Sequence, residues 1–280
     1  MRIRIDHATR YAYARPARRI VQMLRLTPRS NESQQVLEWR IDTDIDARLR
    51  VGEDAFGNVV HSLYADQGAA GLTVRVSGEI ETSDTGGVLK GVSERLSPLV
   101  YLRDTPLTQA SPEMRVFADE IASASADPLD RMHRLMGALH EAVAFEVGAT
   151  TADHTAADAF AQRRGVCQDH AQIFIACARR MGVPARYVSG HLLRPDVEAQ
   201  DAAHAWAEAH VPDLGWVGFD PANRVCPTDA YVRVACGLDY LGAAPVRGSS
   251  YGGQGETLSV ALRVRPAPQA RRQQQSRTGQ

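Results

Sequence analysis

The chain has 280 residues, of which 44% are hydrophobic and 23% charged, and its formal net charge is -1. These values are typical of a soluble globular protein with one large or two medium domains, and they exclude a global field that favours nucleic acid or an anionic membrane. The four cysteines include no C-x-x-C pair, the N-terminus has no apolar signal segment, and no apolar run is long enough to span a bilayer. We therefore expect a reduced, soluble protein of the cytoplasm.

The first hundred residues carry the period-two alternation of β-strands. Apolar side chains share one parity in the stretches 3–13, 37–51 and 72–80, with short turns and no helical pattern between them. We predict an antiparallel, β-sandwich-like domain over residues 1–100, in which nothing indicates catalysis. The charged face of 37–51 is interpreted as solvated surface, and a surface that binds a partner is the alternative.

Helical spacing replaces this alternation near residue 105. Ser111-Pro112 and Asp127-Pro128 each combine a capping residue with a proline in the first helical position, and Thr155 begins a capping-box pattern. A further helix is predicted to begin with Cys167 in its first turn and to run to Met181. We place one core domain over residues 101–265, followed by a Gln- and Arg-rich tail, 266–280, that is predicted to be disordered.

Two neighbouring strands near residue 210 decide which polar side chains share a face. His204, Trp206, Glu208 and His210 alternate with three alanines, and the returning strand ends at Asp220. A connection of three or five residues puts Asp220 opposite Trp206 and on the face of His204, whereas a plain four-residue connection turns it away. Diagonal side chains on one face are about 7–8 Å apart at the backbone and can still touch.

A nucleophilic cysteine needs a base and an acceptor that orients the base. Cys167 lies where free backbone N–H groups and the helix dipole favour a thiolate, and His204 and Asp220 follow it in the chain. A Cys-His-Asp site therefore predicts the Trp206–Asp220 pairing, or a bulge that restores it. The alternative for Cys167 is a buried, small hydrophobic side chain.

Four blocks occur in order along the chain: Gly-Val-Cys-Gln-Asp (165–169), Met-Gly-Val-Pro-Ala-Arg-Tyr-Val-Ser-Gly-His (181–191), His-Ala-Trp-Ala-Glu (204–208) and Gly-Trp-Val-Gly-Phe-Asp-Pro-Ala-Asn (215–223). Together with the β-rich leader they resemble the bacterial transglutaminase-like superfamily. The resemblance implies an α+β fold whose core is papain-like, with helices packed on an antiparallel sheet.

The resemblance also implies a reaction. Cys167 would be the nucleophile, His204 the general base and then acid, and Asp220 the group that fixes the imidazole. A peptide or protein carboxamide would form a thioester that water or an amine resolves, with no cofactor, no metal and no nucleic-acid or membrane partner, and the oligomeric state stays open. The backbone N–H of Cys167 is a natural oxyanion donor, and Gln162 is a candidate for the second.

Three alternatives concern the same residues. Cys167, His204, His210 and Asp220 are possible zinc ligands of a metal hydrolase, although His204 and His210 would lie about 20 Å apart along a strand. A catalytically idle binding module is the second alternative. His170 lies one helical turn after Cys167 and either competes as the base or packs beside the site, and packing is the favoured interpretation.

Overall fold

The computed structural model describes residues 1–267, so the predicted tail, apart from Pro266 and Ala267, lies outside the described residues. The strands are β1 (Arg2–Ala17), β2 (Arg19–Thr27), β3 (Gln34–Thr43), β4 (Arg48–Glu53), β5 (Val59–Ala65), β6 (Ala69–Thr82), β7 (Ala144–Phe145), β8 (Arg164–Gly165), β9 (Ala185–Leu192), β10 (Ala199–Gln200), β11 (His204–Val211), β12 (Gly215–Phe219), β13 (Tyr231–Gly237), β14 (Val246–Tyr251) and β15 (Gln254–Pro266). The helices are α1 (Pro112–Ser123), α2 (Pro128–Ala142), α3 (Ala156–Gln162), α4 (Cys167–Arg180) and α5 (Tyr240–Ala243), with a 3₁₀ turn at Pro98–Leu102.

Two antiparallel sheets pack on each other in the N-terminal part. Their strand orders are β10-β15-β1-β6-β3 and β14-β2-β5-β4. Alternate apolar side chains of β1, β2, β5 and β6 form the core that the two sheets share. The strand-rich, antiparallel N-terminal region predicted from the alternation is therefore confirmed.

The last two strands that the structure describes, β14 and β15, pair with these N-terminal sheets. β15 pairs with β1 from Ile3↔Pro266 to Arg15↔Gln254, and β14 pairs with β2. Pro266, predicted as the first residue of the tail, is thus the last residue of a strand. Period-two patterning identifies a strand but not its partner, which is why this pairing was not expected. The domain boundaries at residues 100 and 265 stay predictions.

The second half of the chain builds a sheet with the order β12-β11-β9-β13, and α4 packs on one of its faces. Ala205, Ala207 and Ala209 of β11 lie in the core cluster that contains α4, and Trp206 lies in a cluster on the other face. The predicted parity of β11 is therefore confirmed. Small side chains on the inner face allow the helix to approach the strand closely.

The helix signals of the sequence also appear in the structure. Ser111, Asp127 and Thr155 cap α1, α2 and α3 with their side chains, and Cys167 is the first residue of α4. Among residues 1–267, no helix has the length and apolar character that crossing a membrane requires.

Candidate active site

The β11–β12 hairpin has the register that the proposed pairing of side chains requires. Val211 pairs with Gly215 across a three-residue connection, and Ala207 pairs with Phe219. One position further along, this register puts Asp220 opposite Trp206. Asp220 therefore projects from the face of the hairpin that carries His204, as the odd-length connection predicts.

His204 and Asp220 are both buried and hydrogen-bonded. His204 Nε2 lies 2.6 Å from Asp220 Oδ2. The same carboxylate oxygen accepts from Asn223 Nδ2 at 2.6 Å and from the Tyr231 hydroxyl at 2.8 Å, and Oδ1 accepts from the Asn223 backbone N–H at 3.3 Å. Burial alone would raise the pKa of Asp220, but the hydrogen bond and charge of His204, together with the other two donors, lower it. Asp220 is therefore an anion at neutral pH.

The imidazole of His204 is held in its charged form. Burial favours the neutral ring, but the hydrogen bond that the ring donates to Asp220, together with the hydrogen bond and charge of Cys167, outweighs burial and raises the pKa of His204 to about 9. Nδ1 is buried and has no hydrogen-bond partner within residues 1–267. The side chain of Cys167 is among the causes that raise the pKa of His204. The structure thus brings Cys167, His204 and Asp220 together, with Nε2 of the ring directed to Asp220.

The turn that carries Cys167 is fixed by a buried carboxylate. Asp169, the third residue of α4, accepts from the Val166 backbone N–H at 2.7 Å and from the Thr150 hydroxyl at 2.6 Å. A Cβ on Gly165 would lie 2.7 Å from the Asp169 side chain, so only glycine fits before this turn. Cys167 itself is half-buried.

The other polar candidates near Cys167 fall outside this group. His170 contacts the carbonyl oxygens of Val166 and Val143 with its two ring nitrogens, each at 3.0 Å, so neither nitrogen is free to accept a thiol proton. This geometry favours packing as its role. Gln162 is exposed at the end of α3, and its oxyanion role stays a prediction.

Trp206, Trp216 and Glu208 are buried. Trp206 stacks on the His204 ring at 6.2 Å between centroids, whereas Trp216 lies under the guanidinium of Arg186. Glu208 forms ion pairs with Arg186 and Arg233, whereas the carboxylate that binds the His204 imidazole is that of Asp220.

Among residues 1–267, no three His, Cys, Asp or Glu side chains are arranged to hold a metal ion. The metal-hydrolase alternative therefore has no ligand set in the described part of the chain.

Sequence reasoning missed the Tyr231 contact. Tyr231 begins β13, which is separated from β11 by β9, so no local pattern connects it with His204. The available signal was Gly190 in the buried strand β9: a Cβ there would lie 2.7 Å from the Trp206 ring. A glycine inside a strand marks a close approach, and here it leaves the space in which Trp206 and Tyr231 meet beside the imidazole.

Residues 115–221 match the family described as the transglutaminase-like superfamily, and residues 3–81 match the bacterial transglutaminase-like N-terminal region. An uncharacterized protein of Mycobacterium leprae is 32% identical over 278 residues, which cover 94% of this chain and 98% of that protein. The chain belongs to the transglutaminase-like superfamily. The resemblance stated from the four sequence blocks is thereby confirmed.

Two further relatives bear on fold and chemistry. A protein-glutamine gamma-glutamyltransferase of Pseudomonas aeruginosa is 32% identical over 161 residues, covering 51% of this chain and 24% of that enzyme. A solved protein of Cytophaga hutchinsonii, described as a candidate cysteine protease, has a TM-score of 0.78 at 18% identity and covers 96% of this chain and 91% of its own. The α+β class with a transglutaminase-like, papain-like core is confirmed, and the family supports a thiol-dependent enzyme in general.

Proposed function

We propose that the protein is a thiol-dependent acyl-transfer enzyme that acts on a peptide or protein carboxamide through Cys167, His204 and Asp220. The observation that carries this proposal is the arrangement of His204, whose Nε2 is bound to Asp220 while its buried Nδ1 has no partner within residues 1–267 and Cys167 acts on the same ring. An imidazole held between a carboxylate and a thiol is the arrangement that nucleophilic catalysis by cysteine uses.

The chemistry follows from the charges. With a pKa of about 9, His204 is protonated at neutral pH and stabilises the thiolate through which Cys167 attacks. The thiolate attacks the carboxamide carbon, and the backbone N–H of Cys167 at the start of α4 stabilises the oxyanion. His204 gives its proton to the leaving amine, and a thioester remains. Water or a second amine then attacks, its proton passes to His204, and the Cys167 thiolate is released.

The acyl donor and acceptor are proposed by class. Because a relative is named a protein-glutamine gamma-glutamyltransferase, a glutamine side chain in a peptide is the first donor to test and a primary amine the first acceptor. Hydrolysis of the same thioester would make the protein an amidase or peptidase. The cytoplasmic location expected from the sequence stays a prediction.

Selective alkylation tests the site without a known substrate. At pH 7 we expect iodoacetamide to modify Cys167 at least 10-fold faster than Cys177, since burial raises the pKa of the Cys177 thiol to about 12. Cys226 is the matched control, because it is half-buried like Cys167 and burial raises the pKa of its thiol. His204→Ala should slow the modification of Cys167 and leave that of Cys226 unchanged. Equally slow modification of all cysteines would favour the idle binding module.

Turnover is tested with a library of glutamine peptides and amines analysed by mass spectrometry. A gain of the amine mass with loss of ammonia reports transfer, and a gain of 1 Da reports hydrolysis of the carboxamide to the acid, as expected from the atom balance of the thioester route. Cys167→Ala should abolish both products. Product formation that persists in this variant would refute the proposed nucleophile.

A further inference from the structure

The carboxylate of Asp220 accepts hydrogen bonds from three residues, His204, Asn223 and Tyr231, rather than from His204 alone. The Tyr231 hydroxyl donates to Oδ2 at 2.8 Å, on the same oxygen that the His204 Nε2 reaches at 2.6 Å. The Tyr231 ring also lies edge-on to the His204 imidazole, with 5.8 Å between centroids. One buried side chain thus touches both the base and the acceptor of the proposed site.

Tyr231 connects Asp220 to a part of the fold that the hairpin does not contain. Asn223, the other donor to Oδ2, belongs to the same turn as Asp220 and moves with it. Tyr231 comes from β13, on the far side of β9. Its hydrogen bond therefore fixes the 220–225 turn relative to the sheet and sets where the carboxylate lies under the imidazole.

The hydroxyl is a permanent donor. Burial and the neighbouring Asp220 charge raise the pKa of Tyr231 far above neutrality, while Arg194 acts in the opposite direction. A hydrogen-bond donor on Oδ2 stabilises the Asp220 anion and weakens the attraction between that anion and the His204 imidazolium. Without it, Asp220 would bind the His204 proton more tightly and the ring would release that proton less readily.

We propose that Tyr231 is a positioning residue for the imidazole: it holds Asp220 Oδ2 under His204 and keeps the aspartate from over-stabilising the imidazolium. The inference rests on the proposed function, in which His204 must release its proton to the leaving amine. Among residues 1–267, the titratable groups that face the ring are Cys167 from α4, Asp220 from the turn and Tyr231 from β13.

The test is Tyr231→Phe, which keeps the ring and removes only the hydroxyl. We expect the pKa of His204, followed by NMR with labelled histidine, to rise by about one unit, because bonds to charged groups are the stronger class of hydrogen bond. Tyr101→Phe is the control, because it removes another buried tyrosine hydroxyl, on a ring that packs on Trp216.

Two additional measurements keep the inference refutable. In an Asp220→Asn background, Tyr231→Phe should no longer shift the His204 pKa, because the effect passes through the carboxylate. If Tyr231→Phe fails to fold, a fluorinated tyrosine at position 231 keeps the side chain and strengthens the donor, so the His204 pKa should fall.

An unchanged His204 pKa in Tyr231→Phe, or in the fluorinated protein, would reduce Tyr231 to a packing role and overturn the inference. Neither readout needs turnover. A protein with the expected shift but no product in the peptide library would leave the positioning role intact and refute only the proposed reaction.

Discussion

Removal of one buried charge should destabilise the core sheet far more than removal of a comparable exposed charge. Glu208 is buried in β11, where Oε2 accepts from Arg186 Nε at 2.6 Å and Oε1 from Arg233 Nε at 2.7 Å. Arg186 is also fully buried, pairs with Glu94 through two contacts of 2.9 Å, and lies 3.9 Å above the Trp216 ring. Glu208→Gln would leave two guanidinium groups without their shared anion.

The magnitude follows from the ionisation of Glu208. Burial would raise its pKa, but the charges of Arg233 and Arg186 outweigh burial and lower the pKa from 4.5 to about 2. Because the folded-state pKa lies below the unfolded one, the stabilisation is complete above pH 4.5 and is lost as the pH falls toward 2. This shift corresponds to about 3 kcal/mol at pH 7, in agreement with the ~3–5 kcal/mol typical of breaking a buried pair.

Thermal and denaturant unfolding measure the loss. For 280 residues the unfolding entropy is about 0.6 kcal/mol/K, so the midpoint should fall by roughly 5–8 °C. Glu141→Gln is the matched control, since the Glu141–Arg224 pair is exposed, at 68% and 55% of side-chain area, and should change stability by less than about 0.5 kcal/mol. A Glu208→Gln effect as small as this control would show that water or rearrangement satisfies the arginines, and would refute the reasoning.

Two further predictions concern the acid stability of the fold and the turn before the nucleophile. Burial lowers the pKa of His7 to about 4, and burial together with the charge of His7 lowers the pKa of His191 to about 3. Because both values lie below the unfolded pKa, unfolding takes up protons below pH 6.5. Each histidine should therefore reduce the free energy of unfolding by about 2 kcal/mol between pH 6.5 and 5. His191→Gln should remove about half of this loss in urea titrations at the two pH values, and an unchanged loss would contradict it. Gly165→Ala should destabilise by roughly 1–3 kcal/mol and slow Cys167 alkylation, whereas Gly52→Ala, where a Cβ meets nothing within 4 Å, should be close to neutral in both assays.

The parts of the structure that follow from local patterning were accessible from the sequence. Strand parity placed His204 and Trp206 on one face of β11, and the length of the hairpin connection decided whether Asp220 joins them. Helix capping chemistry located Ser111 and Cys167 at the starts of α1 and α4. Each of these inferences depends on residues within a few positions of one another, where backbone geometry is the only constraint.

Contacts between distant strands were not accessible in the same way. The alternation in β15 identifies a strand, but its pairing with β1 depends on the whole order of the sheet. Tyr231 reaches Asp220 from the far side of β9, where a Cβ on Gly190 would clash with the neighbouring Trp206 ring. Such contacts are set by packing in three dimensions, and one sequence contains no record of them.

The first turns of α4 show where physical reasoning could have gone further. Asp169, His170 and Gln172 are polar, and an amphipathic helix would expose them, yet all three are buried, and the continuous apolar run of the helix begins only at Ile173. A buried polar group costs about 1–3 kcal/mol when its hydrogen bonds are unmet. Asp169 and His170 both bind the backbone of Val166, the residue before Cys167, so the polar burial stabilises the geometry of this turn. A local departure from the apolar pattern of a core helix therefore marks the segment whose shape the chemistry requires.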